Sequence, residues 1–162
     1  MSQIIAAGDQ TVDAISDAVL TASRLLVSLS ARSIAAVDET ITIAQFRVLV
    51  VLETRGPLNL AALAESLGVQ PSTATRMVDR IVHAGLTSRQ VSAQSRRELT
   101  VKLTERGASV VREVTQRRRA EIGAVVAKMP VAHRSGLVRA LAAFTTAGGE
   151  PPAPDTPEIP WG

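Results

Sequence analysis

The chain has no cysteine, which removes disulfides, zinc–thiolate sites and thiol redox sensing from consideration. It has no tyrosine, one tryptophan and two phenylalanines, so any pocket it builds is lined mainly by aliphatics and discriminates little by stacking. Histidine is confined to His83 and His133. Each is expected to be a solvated or capping residue, and without cysteine a transition-metal site is not expected. No unbroken apolar run approaches the roughly 18–20 residues of a membrane span. The opening MSQIIAAGDQ lacks the basic-then-apolar order of a signal peptide. No nucleophile elbow and no glycine-rich phosphate loop organise the serines, histidines and aspartates. The expectation is a cytoplasmic protein with no membrane partner, no catalytic residue, no metal and no cofactor.

What is present is 162 residues, 46% of them apolar and drawn mostly from alanine, valine and leucine. That length is one domain, or one domain with a dimerisation extension. The net charge of +3 conceals an asymmetry. Residues 1–41 balance to −3 and residues 42–70 to zero. Residues 71–119 hold ten arginines and Lys102 against Asp79, Glu98, Glu105 and Glu113, a balance of +7. A concentrated positive stretch is what a polyanion-binding surface requires. Because the chain has 16 arginines and only two lysines, the placement of each arginine says more than its identity.

Asp9 or Thr11 can cap a first helix running to about residue 37. Val12, Ile15, Val19, Ala22, Leu26 and Leu29 form one apolar stripe along it. Thr42 and Gln45 fit a capping box for a second helix, which Gly56-Pro57 ends. Asn59 can cap a short helix over 60–67, and Gly68 can end it in the left-handed conformation. Pro71 suits the first turn of a helix over 71–84. Ala74, Met77, Val78, Ile81 and Val82 form its inner face; Ser72, Thr73, Thr75, Arg76, Asp79 and Arg80 form its outer face. Two strands, 86–91 and 98–103, flank a short polar tip. Thr104 then caps a long helix to about residue 129, Pro130 breaks it, and a last helix covers about 132–146. Residues 148–162 carry five prolines without apolar periodicity, the composition of a mobile or loosely docked tail.

The order helix, tight turn, helix, hairpin over residues 60–104 suits a surface that enters DNA by a helix and clamps it with a β-ribbon. Ala64 and Gly68 are small enough for the two helices to cross closely. Ser72, Thr73 and Thr75 can bond phosphate or base edges, and Arg76 can reach guanine acceptors with both arms of its guanidinium. Arg80 has phosphate and solvent as equal candidates. Arg89 on the rising strand, with Arg96 and Arg97 at the tip, can lie along the backbone or enter a narrow minor groove. The run Arg117-Arg118-Arg119 is expected on a solvated helix face or in ion pairs between subunits.

This stretch resembles the MarR family of bacterial winged-helix transcription regulators. The resemblance covers about residues 41–112, through TIAQFRVLVVL, LAALAESLGVQPSTATRMVDRIVHAGL, SRRELTVKLT and the following ERG. It implies a mainly α fold with a small β-hairpin wing: a winged helix-turn-helix flanked by N- and C-terminal dimerisation helices. The expected segments are 1–40 for the first dimerisation helix, 41–106 for the DNA-binding unit, 107–147 for the remaining dimerisation helices and 148–162 for the tail. The resemblance further implies a homodimer on a near-palindromic duplex, with half-sites roughly 10 base pairs apart. It implies a repressor acting by occlusion, associated with the nucleoid when bound. Small, often aromatic or anionic effectors would bind between the dimerisation helices and the winged helix. Leu25, Leu29, Phe46, Arg47 and Arg112 are the candidates for such a pocket, although packing is the expected role of each. One position departs from the family pattern. The wing aspartate that braces an arginine is here Ser95, which removes a brace and also a negative charge near DNA. A winged helix used for protein assembly, and a sequence-independent architectural DNA binder, remain as alternatives.

Overall fold

The computed structural model describes residues 11–92 and 98–151. Asp9, the wing-tip residues Ser95, Arg96 and Arg97, and the tail from residue 152 lie outside them. Thr11 accepts the Ala14 amide at 3.1 Å and starts helix α1, Val12–Ala35. Helix α2, Ile43–Arg55, opens on the full capping box: Thr42 accepts from the Gln45 amide and the Gln45 side chain accepts from the Thr42 amide. Two residues, Leu58–Asn59, form strand β1. Asn59 then caps α3, Leu60–Leu67, and Gly68 ends it at φ +65°. Helix α4 is Pro71–His83, and strands β2 and β3 are Thr87–Val91 and Leu99–Leu103. Thr104 caps α5, Glu105–Ala127, and α6 is Val131–Ala147. This is the expected mainly helical chain with a small antiparallel sheet.

Strand β1 is the element the sequence reading missed. A two-residue strand has no period to detect, and its partners are 43 and 41 positions away: Leu58 pairs with Val101 and Asn59 with Thr100. The sheet order is therefore β1-β3-β2, with β2 and β3 in register from Thr87 opposite Leu103 to Val91 opposite Leu99.

The core gathers around α2, whose Val48 and Leu49 are wholly buried. Ile34 of α1, Leu63 of α3, Val78 and Ile81 of α4, Leu86, Val101 of β3, and Val110, Val111 and Val114 of α5 join it. The outer turns of α1 and all of α6 do not. Of the apolar stripe on α1 only Leu29 is buried; Val12 is 79% exposed and Ile15 and Leu26 about half exposed. Helix α6 buries no residue and exposes Val138, Leu141 and Phe144. Helix α1 is also long and apolar enough, by length and composition, to cross a membrane. Serines, a threonine and the charged Asp13, Asp17, Arg24 and Arg32 interrupt its apolar run, yet its mean hydropathy over 18 residues stays high. Its C-terminal end is nevertheless built into the protein. Arg32 pairs with Glu121 of α5 at 2.8 Å, and Ser33 donates to the same carboxylate at 3.2 Å.

One glycine sets how α5 meets the winged helix. A Cβ on Gly107 would stand 2.0 Å from the Leu86 carbonyl oxygen. The same carbonyl accepts the Thr104 amide, and the Thr104 hydroxyl donates to the Gly85 carbonyl at 2.7 Å. The start of α5 is thereby laced to the exit of α4. Gly68, by contrast, has open space where a Cβ would be. It serves by its positive φ rather than by close helix crossing, and of the pair with Ala64 only Ala64 is buried in the helix contact. Gly107→Ala should therefore lower unfolding free energy by roughly 2–3 kcal/mol through overpacking against backbone. A urea midpoint indistinguishable from wild type would contradict this contact.

Candidate nucleic-acid interface

Helix α4 is divided lengthwise by burial. Ala74 and Val78 have no exposed surface and Ile81 almost none, while Met77 and Val82, expected inside, are half-buried flanks. Ser72, Thr73, Arg76, Asp79 and Arg80 are exposed on the other side. Thr75 is half-buried, and its hydroxyl donates to the Pro71 carbonyl at 2.9 Å. That bond ties up its proton but leaves its lone pairs. Neither Arg76 nor Arg80 makes an ion pair or hydrogen bond with another described residue. No side chain caps the helix, Gln70 being its N-cap and Pro71 its first residue. The positive end of the helix and two uncommitted guanidiniums thus lie along one surface, where a polyanion gains from both. The C-terminal end is fixed from behind, Arg106 donating to the Ala84 carbonyl at 3.1 Å.

The wing is held to this helix at its root. Arg89 on β2 forms an ion pair with Asp79 on α4. Asn59, on β1, donates to the Glu98 carboxylate just before β3. The Ser92 amide donates to the Glu98 carbonyl at 2.7 Å and closes the ribbon below its tip. Arg89 is therefore turned toward its own protein, a placement the sequence does not reveal because the pair joins a helix to a strand that only the fold brings together.

Of the five candidate effector residues, Arg47 alone lines either of two grooves. Leu29 and Phe46 are buried, Leu25 is exposed, and Arg112 reaches Glu105 at 3.3 Å. Arg47 closes on Glu150, its Nη1 donating at 2.7 Å and its Nη2 at 2.5 Å to the two carboxylate oxygens. Both grooves are open to solvent. One of about 510 Å³ runs between Thr42, Gln45, Arg80 and His83; the other, about 410 Å³, lies beside Arg47, Arg55 and Glu150. The arginine run of α5 also divides. Arg117 and Arg119 are exposed, whereas Arg118 turns inward, its guanidinium 5.4 Å from the Phe46 ring centre. Its buried Nε has no hydrogen-bond partner among the described residues, and burial holds its pKa below the usual guanidinium range. Nothing in the run itself marks Arg118 as the inward member, because three consecutive helix positions can all face water, as Thr115, Gln116 and Arg117 do.

A helix-turn-helix followed by a two-stranded ribbon, with its cationic face on the second helix, defines a winged helix-turn-helix protein. The comparisons agree. The MarR family model matches residues 41–99. The structure of RV1404 from Mycobacterium tuberculosis is 62% identical, covers 89% of this chain and 98% of its own, and superposes with a TM-score of 0.82. The chain belongs to the MarR family, a family of transcription regulators rather than enzymes. The transcriptional repressor MdtR of Bacillus subtilis is 35% identical over 80 residues, 49% of this chain and 52% of that protein. The chain thus matches about half the length of the curated relatives. Apo MarR from E. coli, at 23% identity, shares the fold over 80% of this chain and 95% of its own, with a TM-score of 0.69.

The Arg47–Glu150 pair gives a pH test. The Arg47 guanidinium, by hydrogen bond and charge, holds the Glu150 pKa below its ordinary 4.5. A carboxylate depressed in the folded state stabilises it above the unfolded pKa, and that contribution disappears as pH falls through the folded value. Both side chains are over a third exposed, so solvent screening limits the contribution to about 0.5 kcal/mol. Glu150→Gln should lower stability by that much at neutral pH and by less at an acidic pH below the lowered Glu150 value. Urea unfolding at the two pH values measures the difference; an equal loss at both would contradict the pairing.

Proposed function

We propose that this DNA-binding regulator of the MarR family is a homodimeric, sequence-specific repressor that acts by occluding a near-palindromic duplex site. The observation that carries this reading is the lengthwise division of α4, one side in the core and the other presenting Arg76 and Arg80 with no ion-pair or hydrogen-bond partner among the described residues. Ser72, Thr73 and Arg76 enter a major groove, Thr75 and Arg80 take phosphate or base edges, and Arg96 and Arg97 reach flanking backbone or minor groove. The positive balance of residues 71–119 adds a salt-dependent attraction common to any duplex. Specificity then comes from the base edges that Arg76 and its neighbours read.

The exposed apolar stretches of α1 and α6 support the homodimer. Contiguous apolar surface of this kind is seldom left in water, and a two-fold contact would cover both helices in both copies. On this reading residues 1–40 and 107–147 form the dimer and 41–106 the reader. An effector acts where the two meet. The Nε of Arg118, without a hydrogen-bond partner among the described residues and beside the Phe46 ring, supports an anionic aromatic as its chemistry, with release of DNA as its consequence.

Two sets of variants test the reading. Arg76→Ala should weaken binding to the preferred duplex by about 1–3 kcal/mol if it reads a base. Arg96→Ala should weaken binding to all duplexes and reduce the salt slope by about one unit. Gel shifts across a salt series, beginning with the chain's own upstream region, supply both numbers; unchanged affinity and slope in both variants would contradict the contacts. Leu26→Asp should convert the dimer to a monomer in sedimentation equilibrium, and an unchanged mass would contradict the proposed interface.

A further inference from the structure

Asp79 and Glu98 are negative charges in the most positive part of the chain. On a surface that meets phosphate, each opposes binding unless it does something else. Both hold the wing. The wing is a two-stranded ribbon that leaves the sheet early: β1 pairs only with Thr100 and Val101 of β3. Beyond that point no third strand joins the ribbon among the described residues, and its direction is set by what grips its root. One grip is the ion pair from Arg89, which stands opposite Val101, to Asp79 on the exposed side of α4. The other is Asn59, the residue that caps α3, donating to Glu98. The two grips take one strand each, and each ties it to one helix of the helix-turn-helix pair. Ser95 stands where the family's bracing aspartate is expected, and among the described residues the restraint on the wing lies at its root.

We infer that Asp79 is a positioning residue for DNA binding: it holds Arg89, and through Arg89 sets the angle between the wing and α4. This inference rests on the DNA-binding reading above. It assigns Arg89 to the protein rather than to the duplex, and it gives the acidic residue on the reading helix a role. Asp79 opposes DNA as a charge and favours it as a bracket. The second effect is the larger, because a wing that wanders must be ordered at each binding event.

The test uses the full-length protein and a duplex selected by the wild type from a random library. Asp79→Asn, Arg89→Gln, the double variant and Asp79→Glu are compared on that duplex and on one trimmed of the flanking base pairs. Asp79→Asn should lose roughly tenfold in affinity on the long duplex and much less on the trimmed one. The double variant should be no weaker than Arg89→Gln alone, and Asp79→Glu should recover part of the loss. Hydrogen exchange on DNA-free protein should quicken in β2 and β3 in Asp79→Asn, with the α2 amides unchanged. Affinity equal to or tighter than wild type in Asp79→Asn, which is what simple removal of a negative charge gives, would overturn the inference. So would losses that multiply in the double variant, or unaltered exchange in the wing. Failure of the wild type to select any duplex would count against the regulator reading instead, and the exchange measurement would still decide the bracket.

Discussion

The seating of α4 by Ala74, Val78 and Ile81 is the constraint on which the rest depends. These residues share one core with Val48 and Leu49 of α2, Leu63 of α3 and Leu86. Once that face is committed, the rotation of the helix is fixed, and Ser72, Thr73, Arg76 and Arg80 have no choice but to face outward. A core residue gained or lost here would turn the reading surface, not merely loosen it. The alanine matters as much as the larger residues, because a small side chain at 74 allows the helix to lie close to its neighbours.

The same helix is held from two further directions. Behind it, the Gly85 and Leu86 carbonyls are taken by Thr104, and Gly107 allows α5 to begin against that backbone. In front, Asp79 grips Arg89 and thereby the wing. The long helix that reaches the exposed apolar region thus starts at the exit of the reading helix. If the proposed homodimer packs along α1, α5 and α6, a change in that packing would be delivered to α4 through this junction, where Gly107 lies against the Leu86 backbone. Effector control of DNA spacing would need such a rigid connection.

Much of this was legible in the sequence because it is local. Thr42 with Gln45, Asn59 before α3, Gly68 after it, Pro71 at the first turn and Thr104 before α5 all act within three or four residues, and each performs the task its type and position predict. The two faces of α4 were legible for the same reason, since helical periodicity is local. What escaped joins residues distant along the chain. Leu58 with Val101, Arg89 with Asp79, Arg47 with Glu150, Arg118 with Phe46 and Gly107 with Leu86 are brought together only by the folded topology. The apolar stripe on α1 was read correctly as a stripe, but periodicity gives a face without giving its partner, and most of that face stays uncovered in the single chain.

The central claim is that two copies of α4 read one duplex with two-fold symmetry. Hydroxyl-radical footprinting of the wild-type protein on its selected duplex tests it most directly. The account predicts two protected patches related by a dyad, their centres roughly 10 base pairs apart, with weaker protection on the flanks where the wings lie. A single patch without a dyad, or protection spread evenly along the duplex regardless of sequence, would contradict it.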